Sequence, residues 1–222
     1  MATLANENEV NAPPVSTSVP TSEAFVHQPN GAATPTSPEH KHIWVITGPA
    51  GCGKTSVAEY LHQTFSLPYL EGDTFHTPAS VQKMAEGHPL TDTDRWDWLI
   101  TLRQEALSAF ASTTTSGVIL TCSALKRKYR DVIRVASYHH PNILVHFVFL
   151  NATETLLMDR VRARKNHYMK DYMVHSQFES LETPQEDEVD VLSVDAGGTS
   201  EEVQKLALGV VEKVMTRDGV SL

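Results

Sequence analysis

An α/β fold is predicted for this chain, a five-stranded parallel sheet with helices on both faces. Three observations predict it. Five short apolar runs rich in β-branched residues recur from His42 onward. Segments with helical spacing separate them. The runs are nearly continuous in apolar residues, as expected of parallel strands buried on both faces.

The elements can be justified in order. "HIWVIT" (42–47) is the first strand and ends in a Gly-rich turn. "GKTSVAEYLHQTF" (53–65) carries Val57, Ala58, Leu61 and Phe65 on one helical face. "LPYLEGD" (67–73) is a second strand. A helix over Asp92–Ser112 follows from the spacing of Leu99, Leu102, Ala106, Ala109 and Phe110, with Asp92 as its expected N-cap. "GVILTCS" (117–123), "NILVHFVFL" (142–150) and "VDVLSVD" (189–195) are the remaining strands.

Residues 1–40 differ from the rest. They are rich in Pro, Ser, Thr, Asn and Ala, and cannot bury enough apolar area to offset the entropy of ordering them. They read as a disordered tail, leaving 41–222 as one domain. With no arginine and one lysine against four glutamates, Met1–Lys41 lacks the character of a transit peptide. No apolar run approaches the length of a membrane span. Two cysteines, Cys52 and Cys122, are too few for a disulfide framework and suit reduced thiols in a cytoplasmic protein.

A net charge of -9 argues against nonspecific binding to nucleic acid or an anionic membrane. Of 18 basic residues, five lie in Lys126–Arg134 and five in Arg160–Lys170. An acidic protein that gathers its cations in two segments is expected to use them on an anion.

Gly48–Thr55 reads G-x-x-x-x-G-K-T between a predicted strand and a predicted helix, the arrangement of a phosphate cradle. Gly48, Gly51 and Gly53 can take backbone angles closed to other residues, so the loop formed by Gly48, Pro49, Ala50, Gly51, Cys52, Gly53, Lys54, Thr55 and Ser56 can curl its N–H groups, all but the one Pro49 lacks, around phosphate oxygens. The helix N-terminus adds its positive end. Lys54 supplies a mobile cation for the β- and γ-phosphates of ATP, and Thr55 is placed to hold Mg²⁺. No N-K-x-D guanine reader occurs, which argues against a GTPase. "VILTCSAL" ends without the acidic residue expected of a motor or transport ATPase. A small-molecule or nucleotide kinase of the P-loop type is the leading class.

Glu71 and Asp73 stand where the second strand meets its loop, the sheet edge at which open α/β folds bind ligands. Asp73 is the candidate to accept a proton from, or align, the attacking hydroxyl. Glu71 is placed to help hold Mg²⁺ through water.

The stretch that follows carries a family signature. Gly72, Asp73 and His76; Lys83, Met84, Gly87, Pro89 and Leu90; and Asp92, Asp94, Arg95, Trp98 and Leu99 resemble the G-D-x-x-H, K-M-x-x-G-x-P-L and D-x-D-R-x-x-W-L elements of the small P-loop gluconokinases. "CSALKRKYRD" (122–131), "RVRARKNHYM" (160–169) and "QFESLETPQEDE" (177–188) resemble the rest of that family's pattern, so the likeness spans residues 42 to 215. It implies transfer of the γ-phosphoryl group of ATP to the 6-hydroxyl of D-gluconate, a route into the pentose phosphate pathway. It also implies a homodimer, and a mobile helical lid over about residues 160–175. Arg160 would contact the nucleotide base or phosphates and Arg164 the transferring group. His167 and Gln177 match family positions, Gln177 as a substrate contact, and "VDAGGTSEEV" has the place of a base-binding loop.

Gluconate is a polyol ending in a carboxylate, so its pocket needs cations at one end and hydrogen-bonding groups along its length. Arg95, Lys126 and Arg130 are the candidates, with Arg127, Lys128 and Arg134 read as a solvated face. Ser80, where the family commonly has asparagine, would alter a polyol contact, and Asp97 replaces a common proline. Two alternatives stand beside gluconate phosphorylation: a kinase for shikimate, adenylylsulfate or another sugar acid, and a nucleotide sensor without transfer.

Overall fold

A computed structural model describes residues 40–112, 115–163 and 171–219. The tail over 1–39 and the lid segment 164–170, with Arg164 and His167, lie outside the described residues. The strands are β1 (Lys41–Thr47), β2 (Tyr69–Leu70), β3 (Gly117–Thr121), β4 (Ile143–Asn151) and β5 (Val191–Asp195). The helices are α1 (Lys54–Phe65), α2 (Pro78–Ala85), α3 (Asp92–Ser112), α4 (Arg127–His139), α5 (Glu154–Ala163), α6 (Asp171–Glu179) and α7 (Ser200–Arg217). The five strands form one parallel sheet in the order β2-β3-β1-β4-β5.

The period-2 geometry of β1 divides the core. Trp44 and Ile46 face one layer with Val57, Ala58 and Leu61 of α1 and Val203, Ala207 and Val211 of α7. Ile43 and Val45 face the other, with Leu99, Leu102 and Ala106 of α3 and Ile133 and Ala136 of α4. Each layer buries a full helical stripe, so apolar transfer at about 25 cal/mol per Å² drives both faces. The strand order reverses beside β1, which opens a crevice at the C-terminal ends of β1 and β3. The phosphate cradle fills that place.

Several details differ from the sequence expectation, β3 for one ending at Thr121, two residues early. The second strand keeps only Tyr69–Leu70, because Gly72–Phe75 winds into a 3₁₀ turn. The Gly72 amide donates to Thr121 Oγ1 at 2.9 Å, and its carbonyl accepts from Trp98 Nε1 at 2.8 Å, so this residue leaves the strand ladder for side-chain partners. The fifth strand starts at Val191, with Val189 exposed before it. Asp92 is the first residue of α3 and not its cap. Thr91 and Asp94 form the reciprocal pair there: the Thr91 amide donates to Asp94 Oδ2 at 2.6 Å, and the Asp94 amide to Thr91 Oγ1 at 3.4 Å.

Gly72 tolerates no side chain. A Cβ there would lie 2.0 Å from the Thr121 carbonyl oxygen, a backbone atom at the end of β3. Gly72→Ala is therefore expected to lose about 1–3 kcal/mol, the usual cost of overpacking, as read by urea unfolding. It should also displace Asp73.

Candidate active site

The site is built from the backbone upward. Between β1 and α1 the chain takes left-handed angles at Gly48 (φ 136), Gly51 (φ 85) and Gly53 (φ 99), which turns the loop back over the N-terminus of α1. The start of the loop is pinned to the segment after β3, since Thr47 Oγ1 donates to the Ser123 carbonyl at 2.6 Å. Lys54 Nζ donates to the Gly48 and Pro49 carbonyls at 3.0 and 3.1 Å and borders the cleft. Cys52 contributes backbone only: its thiol is in the core, and burial raises its pKa. Cys122 is likewise buried, pushed up to about 12, so neither cysteine is a nucleophile.

A cleft of about 850 Å³ runs from this loop past the end of β2 to the start of α4. Ala50, Gly51, Gly53, Lys54, Thr55 and Ser56 form one wall. Glu71 and Asp73 stand next to it. Thr55 Oγ1 donates to Glu71 Oε2 at 3.1 Å, Tyr69 donates to the same oxygen at 2.5 Å, and Thr121 donates to Oε1. Burial pushes the Glu71 carboxyl up, but the three hydroxyl donors, Thr121 first, outweigh it and hold the group below the usual carboxylate range. Glu71 is thus an ionised, oriented carboxylate beside the Thr55 hydroxyl. This oxygen-donor pair fits Mg²⁺, which favours few protein ligands with water and phosphate oxygens.

Asp73 differs from Glu71. Its side chain is 76% exposed toward the cleft, with His76 Nε2 3.9 Å away. The His76 ring stacks on Trp98 at 4.2 Å, and burial there lowers its pKa, so the ring is neutral near pH 7.

The far wall holds Arg95, Lys126, Asp92 and Tyr129. The Arg95 guanidinium lies 5.6 Å from the Tyr129 ring centre, and Lys126 Nζ donates to Asp92 Oδ1 at 3.1 Å. Lys128 and Tyr129 also donate to Asp92, which gathers the start of α3 and α4 into one cluster. These donors, Lys128 first, hold the Asp92 carboxyl well below its ordinary range.

Arg130 is not on this wall. Its side chain is 1% exposed, with Nε and Nη2 donating to Glu188 at 2.7 and 2.6 Å. Its remaining bonds go to the carbonyls of Ala124, Leu125 and Glu182. The guanidinium is saturated inside the protein, so the expectation of an acceptor contact is corrected. Arg134, expected on a solvated face, is likewise engaged, by Glu188, Asp190 and Asp131. Lys126 and Arg95 are the predicted acceptor cations that border the cleft.

Gln177 on α6 reaches the cradle: its Oε1 accepts from the Ala50 amide at 2.7 Å. Arg160 on α5 donates to the carbonyls of Ala196, Gly197 and Gly198 at 2.8, 3.4 and 2.6 Å. It lines a smaller pocket of about 230 Å³ with Gly51, Ser56, Gly198 and Ser200. That pocket adjoins the cradle at the loop expected to hold the base.

Comparison with known proteins decides the family. A family model described as an AAA domain matches residues 43–183. The chain is 41% identical over 184 residues to a probable gluconokinase of Schizosaccharomyces pombe, spanning 83% of this chain and 95% of that one. It is 38% identical to the thermoresistant gluconokinase of Escherichia coli over 78% and 94% of the two chains. A crystal structure of a gluconokinase from Sinorhizobium meliloti superposes with a TM-score of 0.69 at 35% identity, over 82% and 95%. The chain belongs to the gluconokinase family.

Membership in this P-loop kinase family implies ATP as donor, and no described helix is long and apolar enough to cross a membrane. Ser80 is the first departure from the family pattern, and it does not line the cleft. It is buried at the start of α2, where its amide and Oγ contact Thr77 Oγ1 at 3.2 and 3.1 Å. Its polar atoms thus serve the helix cap. Asp97 is exposed on the first turns of α3, its carbonyl accepting from Thr101. Lys83 donates to Asp94 at 2.6 Å, which ties two family motifs across the α2–α3 turn.

Sequence reading missed Thr121, Tyr69, Asp92 and Tyr129 as site residues. Thr121 carried one signal, a lone hydroxyl at the end of an apolar strand. The others acquire their place only when β2, α3 and α4 come together.

Proposed function

We propose that this gluconokinase-family chain transfers the γ-phosphoryl group of ATP to the 6-hydroxyl of D-gluconate, giving 6-phospho-D-gluconate for the pentose phosphate pathway. The observation that carries the reading is Asp73, an exposed carboxylate in one cleft with the cradle on one side and Arg95 and Lys126 on the other.

The roles follow from position. The cradle amides and Lys54 bind the donor phosphates. Thr55 and Glu71 would hold Mg²⁺, which neutralises phosphate charge when bound. Arg95 and Lys126 offer a fork and a point charge to the acceptor carboxylate, while His76 offers a neutral ring nitrogen to a hydroxyl. Asp73 aligns the 6-hydroxyl and accepts its proton as the oxygen forms its bond to the γ-phosphorus and the bond to the β-phosphate oxygen breaks, releasing ADP. Arg160 supports the base-side loop. Gln177 reads as a latch between α6 and the cradle, with contact to the substrate when the lid closes. Arg164 is assigned to the transferring phosphoryl group on the family pattern. The reading includes a homodimer, supported by the family resemblance, and a cytoplasmic setting, supported by two unpaired cysteines.

The test uses the full chain with Mg-ATP and measures ADP release against gluconate, shikimate, adenylylsulfate and other sugar acids. Gluconate should raise the rate far above the no-acceptor background. A gluconate rate equal to that background would overturn the reading.

A further inference from the structure

The far end of the sheet carries a cluster that the transfer reaction does not use. His42 lies near the start of β1, and His146 on β4 is the register partner of Trp44. Both histidines are buried, His42 fully, on the sheet face covered by α1 and α7. His42 Nδ1 and His146 Nε2 are 3.1 Å apart. Asp218, the C-cap of α7, closes the group: one ligand atom from each of His42, His146 and Asp218 lies within 4.8 Å of the other two. The cradle is at the opposite, C-terminal ends of the strands.

Two polar rings in this place need a reason: a sheet interior that needed only apolar packing would hold leucine or valine here. The Trp44 ring stacks on both histidines at 5.4 and 4.5 Å and holds them in place. The nitrogen spacing points to a ligand: two imidazoles on one tetrahedral zinc, with Zn–N of about 2.0–2.1 Å, place their nitrogens about 3.3 Å apart, close to the 3.1 Å between His42 Nδ1 and His146 Nε2.

From this geometry we infer that His42, His146 and Asp218 form a zinc-class divalent cation site, with a water in the fourth position, that ties the end of α7 to β1 and β4. Neutral imidazole and carboxylate suit zinc. Imidazole is largely neutral near pH 7, so its lone pair is available to a cation. Arg217 competes for the carboxylate, donating to Asp218 Oδ1 at 2.8 Å. Its side chain is largely exposed, so it can swing into solvent as Asp218 closes the remaining gap.

The experiment uses untagged full-length protein stripped with chelator, with Co²⁺ as spectroscopic probe and Zn²⁺ as competitor. One equivalent of Co²⁺ should give intense tetrahedral d–d bands that one equivalent of Zn²⁺ bleaches, and Zn²⁺ should raise the melting midpoint. Asp218→Asn and His146→Gln should each weaken Zn²⁺ binding by about 100-fold or more, beyond the usual cost of an outer-shell loss. They should also abolish the melting shift, while Asp218→Asn leaves gluconate-dependent ADP release unchanged. If His146→Gln does not fold, Asp218→Asn, at a helix end, carries the test. Wild-type protein without tetrahedral bands, or with Zn²⁺ binding equal to that of Asp218→Asn, overturns the proposal.

Discussion

Asp73→Asn is expected to lower the gluconate-dependent kcat by about 10²- to 10⁴-fold, the range over which a positioned proton acceptor acts. Asparagine keeps the size of the side chain but has no carboxylate to accept a proton or to align the hydroxyl by charge. ATP binding should change little, because among the described residues the Asp73 side chain bonds to none of the cradle, and His76 Nε2 lies 3.9 Å from it. The check pairs steady-state ADP release with a titration of a fluorescent ATP analogue. Near-normal turnover would place proton acceptance elsewhere, whereas equal loss of turnover and ATP affinity would mean that the substitution damages the cradle.

Arg130→Met is expected to cost about 3–5 kcal/mol of unfolding free energy, the scale for removing one partner of a buried ion pair. The Arg130 and Glu188 side chains are each 1% exposed, and Arg130 also satisfies three carbonyls between Ala124 and Glu182. Arg134 remains on Glu188 Oε2 in the variant, which favours the lower end. The pair predicts a pH dependence as well. The hydrogen bond from Arg130 is the largest influence on Glu188; burial opposes it, Arg134 reinforces it, and the carboxyl is pulled down to about 2 from its ordinary 4.5. A carboxyl depressed in the folded state contributes stability that is fully present above about pH 4.5 and is lost as pH falls toward 2. Urea midpoints measured across that window should fall less steeply in Arg130→Met than in wild type, and parallel slopes would refute the assignment.

How much of this was legible in the sequence depends on the range of the interactions. β1, the cradle and α1 are one continuous segment, and the three glycines adopt the left-handed angles that their positions in the motif require. Glu71 and Asp73 were readable as carboxylates at a strand end, although the strand itself gives way to a 3₁₀ turn. Arg130 was not readable. A cation at helical spacing looks the same whether it meets solvent, a substrate or a buried carboxylate, and its partner is 58 residues away. Asp92 is not the cap because Thr91 takes that place in its reciprocal pair with Asp94, which leaves the Asp92 carboxylate to Lys126, Lys128 and Tyr129. Ser80 looked like a pocket residue by its place in a motif, yet its hydroxyl and amide serve α2.

By itself the sequence determined the donor side: a phosphate cradle whose shape is a local property of backbone angles and a helix N-terminus, set by neighbouring residues. The tertiary structure decided which cations face the cleft. It left Arg95 and Lys126 on its wall and withdrew Arg130 and Arg134 into ion pairs. A charge in a folded protein goes where its desolvation is best compensated, and that depends on partners which only the completed fold brings within reach.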